Sequence, residues 1–237
     1  MKTTPLLMTG GNVRLIQQDL KTNTRRVLAG PGNWLQSHAC LTGGCLHDTS
    51  EECQAALMKE SPYGTVGDIL AIKETFWCWG HWKIQVADGG KLKGEWNNLT
   101  DAEHPIVYDA DKHDLKKIER SSVGYHKRPS IYLPMSAWRI KLEITKVEIQ
   151  RLQDISEVDA IAEGVEREGN GWKSYEMILT GPHKGKPHPH SIVPNNSPIH
   201  SYREIWDSIN GTPRPNKPDI SWKANPWVWS IHFRKLP

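Results

Sequence analysis

Apolar residues recur along this chain with two different periods. Val13, Ile16 and Leu20 follow Asn12 at one-sided helical spacing, which predicts a short helix over 12–20 with Asn12 as N-cap. Gly67-Asp68 then opens an apolar run from Ile69 to Trp77, punctuated by Lys73 and Glu74, which predicts a buried strand over 69–76. Trp138, Ile140, Leu142 and Ile144 alternate with Arg139, Lys141 and Glu143, after which the apolar parity moves to Val147 and Ile149. A parity change inside one strand over 138–149 predicts a β-bulge near Thr145-Lys146. Ser156 with Asp159 three residues on resembles a capping box for a helix over 156–163, with Val158, Ile161, Ala162 and Val165 as its apolar face and Gly164 as its stop. Ser197 and Pro198 open a helix over 198–209 whose buried stripe is Tyr202, Ile205, Trp206 and Ile209. Trp227, Trp229, Ile231 and Phe233 alternate with polar neighbours in a strand over 227–234.

Between these elements the periodicity fades. Residues 30–64, 78–135 and 166–196 are rich in Gly, Pro, Asp, Asn and His and are expected to be insertions. Two features relieve them: a short helix near 50–59 and a short hairpin within 83–130. The Pro/Gly alternation of 181–196 predicts a mobile surface loop. No internal repeat is apparent. The expectation is one α+β domain over 1–237, with a central, mostly antiparallel barrel, short flanking helices and long loop insertions.

Composition narrows the function classes. A formal charge of +3 is far below that of a protein that coats duplex DNA, so any nucleic-acid role must be local. The first residues lack the apolar core of a signal peptide and no stretch is long enough to span a bilayer, so a cytoplasmic address without membrane association is expected. Cys40, Cys45, Cys53 and Cys78 are expected to be reduced thiols. His38, Cys40, Cys45, His47 and Cys53 offer zinc-ligand chemistry at a spacing that fits no standard finger, and His183, His188 and His190 do no better, so neither metal nor cofactor is expected. Eleven tryptophans against two phenylalanines suggest core packing first. Trp77, Trp79 and Trp82 follow one strand directly, where exposed rings would form a stacking surface for bases.

One group of residues carries candidate chemistry. If the first helix persists for one more turn, Lys21 and Thr24 share a face, with Arg25 beside Lys21. Repulsion from Arg25 and Arg26 would lower the lysine pKa and favour a base for the Thr24 hydroxyl. Glu74, at the end of a buried strand, would act as a partly desolvated proton donor. The alternative is a structural ion pair between Glu74 and Lys21 or an arginine. Arg25 and Arg26 suit phosphate or carboxylate, or pairing with surface acids. Trp34 and Trp77 are the aromatic candidates for substrate contact, unless they belong to the core.

Lys21-Thr22-Asn23-Thr24-Arg25-Arg26, followed by Val66-Gly67-Asp68-Ile69-Leu70 and Lys73-Glu74-Thr75-Phe76, resembles the signature of ASCH domains. The resemblance implies a PUA-like β-barrel with a Lys, a Thr and a Glu around a cleft. By analogy with the small bacterial amidohydrolases that deacetylate acetylcytidine, it implies Thr24 as nucleophile, Lys21 as its base and Glu74 as proton donor. Other members are described as ribonucleases or RNA binders. Further segments, among them Arg128–Pro134, Arg151–Ser156, Asp159–Val165 and Asn225–Trp229, resemble a longer bacteriophage and prophage branch of the group, which implies a bacterial host cell. The expected partner is a modified nucleoside, RNA or DNA. The expected function is hydrolysis of an amide on a modified nucleoside or base, with non-catalytic binding of RNA or DNA, or RNA cleavage, as the alternatives.

Overall fold

The structure is a computed structural model that describes residues 1–28, 61–86, 92–111, 113–175, 194–212, 215 and 217–237. Trp34, the Cys/His group of 38–53, the helix expected near 50–59 and nearly all of the 181–196 loop lie outside these residues.

The fold is α+β, with mostly antiparallel sheets and few helices. The first sheet has the order β1 (Thr3–Met8), β3 (Ile69–Glu74), β8 (Lys141–Arg151), β11 (Trp227–Lys235), β2 (Asn23–Val27). Only the β1–β3 pairing is parallel. One face carries the main apolar layer, in which Leu70, Ile72, Leu142, Ile144, Trp229 and Ile231 are essentially sealed from water. Val13 and Ile16 of α1 (Gly10–Gln17) complete that layer. The other face packs Val228 and Leu152 against α2 (Glu157–Ala162) and α3 (Pro198–Asn210). The hairpin of β9 (Arg167–Glu168) and β10 (Gly171–Trp172) adds Trp172 to this second layer.

The expected barrel is an open sheet among the described residues, with β1 and β2 as its edges. Its curvature brings those edges near each other, because the Arg26 guanidinium on β2 donates to the Leu7 carbonyl on β1 at 2.9 Å. The expected bulge is present. His232 pairs with Lys146 and Phe233 with Ile144, so Thr145 is the extra residue that moves the apolar parity of β8.

Four expectations need correction. The first helix starts earlier than predicted, since the Thr9 hydroxyl caps the Asn12 N–H at 3.4 Å, and it ends at Gln17. Asp19, at φ +57°, turns the chain out of it, so Lys21 and Thr24 never share a helical face. On α2, Ala160 rather than Val158 is buried, and Val165 packs beyond the helix end, because the short helix rolls its opposite side inward. On α3, Tyr202 and Trp206 are buried while Ile209 is exposed at the end of the helix.

The largest correction concerns 78–135. Residues expected to be loop build a second sheet around β4 (Phe76–Val86), flanked by β5 (Leu92–Asn98), β6 (Val107–Tyr108) and β7 (Gly124–Arg128). Only Thr75 separates β3 from β4, so a nearly continuous run passes from one sheet into the other. Glycines disguise this sheet in the sequence. A Cβ on Gly80 would collide with the Asn97 carbonyl and the Trp96 ring, and one on Gly94 would lie 3.2 Å from Trp82. The same glycines that weaken strand propensity make room for indoles.

Ile144→Ala is expected to lower stability by about 2–5 kcal/mol through a buried cavity, whereas Val158→Ala, at a 75% exposed position, leaves it nearly unchanged. Urea denaturation of the two variants measures the difference.

Candidate functional site

Strand alternation divides the motif at 21–26 between two faces. Thr24 and Arg26 pair with Ile231 and Trp229 of β11 and so point into the main apolar layer. Asn23 and Arg25 point the other way, toward α2. The Asn23 amide donates to the Asp159 carbonyl at 3.3 Å and Arg25 Nη2 donates to Asp159 Oδ2 at 2.9 Å. Lys21 belongs to this helix side as well. Its Nζ donates to Glu163 Oε2 at 2.5 Å and to the Glu163 carbonyl at 2.8 Å.

Glu163, which sequence reasoning missed, is therefore the centre of a buried cluster. Its second oxygen lies 3.5 Å from Arg25 Nη1 and accepts from the Tyr202 hydroxyl at 3.2 Å. Arg25 is also met by the Gln150 amide oxygen at 2.7 Å in the orientation that satisfies both groups. Two cations and two carboxylates thus meet between β2, α2 and α3. Burial pulls the Lys21 ammonium below its ordinary range, and the Glu163 carboxylate opposes that shift. Burial also raises the Tyr202 phenol well above its usual range. Gly164, at φ +94° directly after Glu163, turns the chain out of α2, and a Cβ there would lie 2.7 Å from Leu15 Cδ1.

Glu74 shares the apolar face with Thr24, since it continues the alternation of Leu70 and Ile72. It is fully buried, and both of its oxygens are taken by Arg139, at 2.8 Å from Nε and 2.9 Å from Nη2. The same guanidinium binds both oxygens of Asp111 at 2.7 and 2.9 Å and lies 3.8 Å over the Tyr108 ring. Hydrogen bonds and charge from the two carboxylates hold the Arg139 pKa above its ordinary value against burial. Glu74 is placed as an acceptor that ties β3 to the segment before β8, and Arg139 carries the link on to Tyr108 of β6. Arg139 was legible only as an outward position of an alternating strand.

Lys21, Thr24 and Glu74 are thus separated, with Lys21 on one face of the sheet and the other two on the opposite face. Arg26 bridges the two sheet edges and Arg25 is bound to Asp159. Trp77 is buried, its indole N–H donating to Asp109 Oδ1 at 3.1 Å and its ring meeting His113 edge-on at 5.3 Å. Among the described residues no group of three or more His, Cys, Asp or Glu is placed to hold a metal ion, and no helix is long and apolar enough to cross a membrane.

Aromatic and cationic groups concentrate instead on the second sheet. On one face, Trp79 stacks on His104 at 4.1 Å and meets Tyr125 edge-on at 5.2 Å. On the other, Trp82 and Trp96 are edge-on at 5.5 Å, and Arg128 lies 4.7 and 4.6 Å from their centroids. Of this group, sequence reasoning named only Trp79 and Trp82. The pairing of β4 with β5 that brings Trp96 to Trp82 has no local signal.

Comparison with family models, curated proteins and solved structures finds no match for this chain.

Removing the buried counter-charge with Glu163→Gln is expected to cost about 3–5 kcal/mol, read by urea denaturation. Native Lys21 releases its proton at a lower pH than the unfolded chain, whose lysine titrates near 10.5. In the window just below that value the unfolded state holds more protons, so this contribution to stability rises with pH. The rise is expected in the wild type and absent from Lys21→Met, measured by denaturation midpoints across that window.

Proposed function

We propose that this chain is a nucleic-acid-binding module of the ASCH, PUA-like kind, and that its second sheet provides the contact surface. The observation that carries the reading is the array of rings and cations around β4, where Trp79, Trp82, Trp96 and Tyr125 stand beside Lys127, Arg120 and Arg128. Indole and phenol rings stack on bases irrespective of sequence, and guanidinium and ammonium groups bind phosphate. A surface of this kind suits single strands, whose bases are free to stack, better than duplex. The modest net charge fits a local contact of this sort.

Amide hydrolysis at Thr24 is less well supported by the geometry. A nucleophilic hydroxyl needs a base within hydrogen-bond reach. Lys21 Nζ is turned to Glu163 instead, and the Glu74 oxygens are filled by Arg139. Both partners would have to leave buried ion pairs to act on a substrate at Thr24.

Short single-stranded RNA or DNA is expected to bind with an affinity that falls as salt rises, without cleavage. Trp82→Ala is expected to weaken binding by about 1–3 kcal/mol, the range for one stacked base, in fluorescence anisotropy. Thr24→Ala is expected to leave affinity unchanged. Turnover of acetylcytidine by the wild type that disappears in Thr24→Ala would overturn this reading in favour of the hydrolase, and strand cleavage would favour the ribonuclease.

A further inference from the structure

Arg128 is the one buried charged side chain without a charged partner among the described residues. It is 7% exposed, yet it makes neither a hydrogen bond nor an ion pair. Lys21, Arg25, Glu74 and Glu163, the other buried charges, all have opposite charges within 3.5 Å. The nearest acid in sequence on the facing β5, Glu95, pairs with Lys83 and projects from the other face of the sheet. Burying a cation without a counter-charge is costly, and the group normally finds one.

What surrounds Arg128 is aromatic. Its guanidinium carbon lies 4.7 Å from the Trp82 centroid, 4.6 Å from Trp96 and 4.8 Å from Tyr132. These rings stabilise the positive charge through their faces. They accept none of its five N–H donors. None of the guanidinium nitrogens is sealed from solvent, because the sealed and unpartnered nitrogens among the arginines belong to Arg25 and Arg26. The group is therefore covered by rings while its N–H groups find no acceptor in the protein and are not fully sealed from water. Its position is fixed by the sheet: β7 holds Arg128 opposite Phe76, and Gly80 and Gly94 let the indoles close in. Tyr132 is 61% exposed and forms the outer wall.

We propose that Arg128, Trp82, Trp96 and Tyr132 form a receptor for a phosphate group of a single-stranded nucleic acid, with an adjoining base stacked on Tyr132. The inference rests on the nucleic-acid reading for the identity of the ligand, and on the unpartnered guanidinium for the presence of the site. A phosphate offers two oxygens to the guanidinium fork, and the surrounding rings exclude water and strengthen that contact. Tyr132 supplies an exposed ring of the kind that bases stack on.

The test uses the full chain with inorganic phosphate and with a short oligothymidylate, read by thermal shift and fluorescence anisotropy. Arg128→Lys keeps a cation over the rings but loses the fork, so it preserves the fold if the guanidinium is only a structural cation. Oligonucleotide binding is expected to weaken about 10-fold in Arg128→Lys and up to about 100-fold in Arg128→Met, as for a charge-assisted hydrogen bond. The slope of log affinity against log salt is expected to fall by about 0.7 in Arg128→Met. Oligonucleotide binding unchanged in both variants would overturn the site and leave the nucleic-acid reading standing. If no oligonucleotide binds, but phosphate stabilises the wild type and not Arg128→Met, the anion site stands and the nucleic-acid reading falls. No response to either ligand overturns both.

Discussion

A charge removed from water must be met by an opposite charge or by hydrogen bonds, and this requirement organises the molecule more than any single apolar contact. Lys21 and Arg25 lie buried where β2 meets the helices, and they are there only because α2 and the turn after it supply Asp159 and Glu163. Glu74 lies fully buried where one sheet passes into the other, and Arg139 is held against it by Asp111 and Tyr108. Each pair joins elements far apart in sequence. The ion pairs therefore specify which helix docks on which strand, a role that a less directional apolar surface fills poorly. Arg128 departs from the rule, and its departure is what marks it as a candidate for binding something.

The apolar skeleton was largely legible in the sequence because local rules wrote it. The capping serines Ser156 and Ser197 open α2 and α3 as their spacing predicts, and the Thr145 bulge is visible as a change of parity. Strand β1 was not foreseen, since Thr3 to Met8 contains a proline and acquires strand character by parallel pairing with β3. The second sheet was hidden because Gly80, Gly94 and Gly124 look like turn residues until the indoles packed above the first two are known.

The candidate site was the least legible part. The spacing at 21–26 puts Lys21 and Thr24 on one face only through a helix, and that helix ends at Gln17. On a strand the same residues fall alternately, so Thr24 and Arg25 part company. The carboxylates that decide what Lys21 and Arg25 do lie some 140 positions away, at separations of 142 and 134 residues, and no local pattern announces them. The pairing of Glu74 with Arg139 is equally non-local, at 65 residues.

The position of β11 has a kinetic consequence. It is the latest strand in this chain, and it lies inside the first sheet, between β8 and β2, rather than at an edge. Until it arrives, β2 has no strand to pair with among the described residues, and the face of Thr24 and Arg26 lacks Trp229 and Ile231. Contacts of such sequence separation make folding slow and leave partly built sheets open to wrong partners. Strand β2 is therefore made long before the strand that completes it.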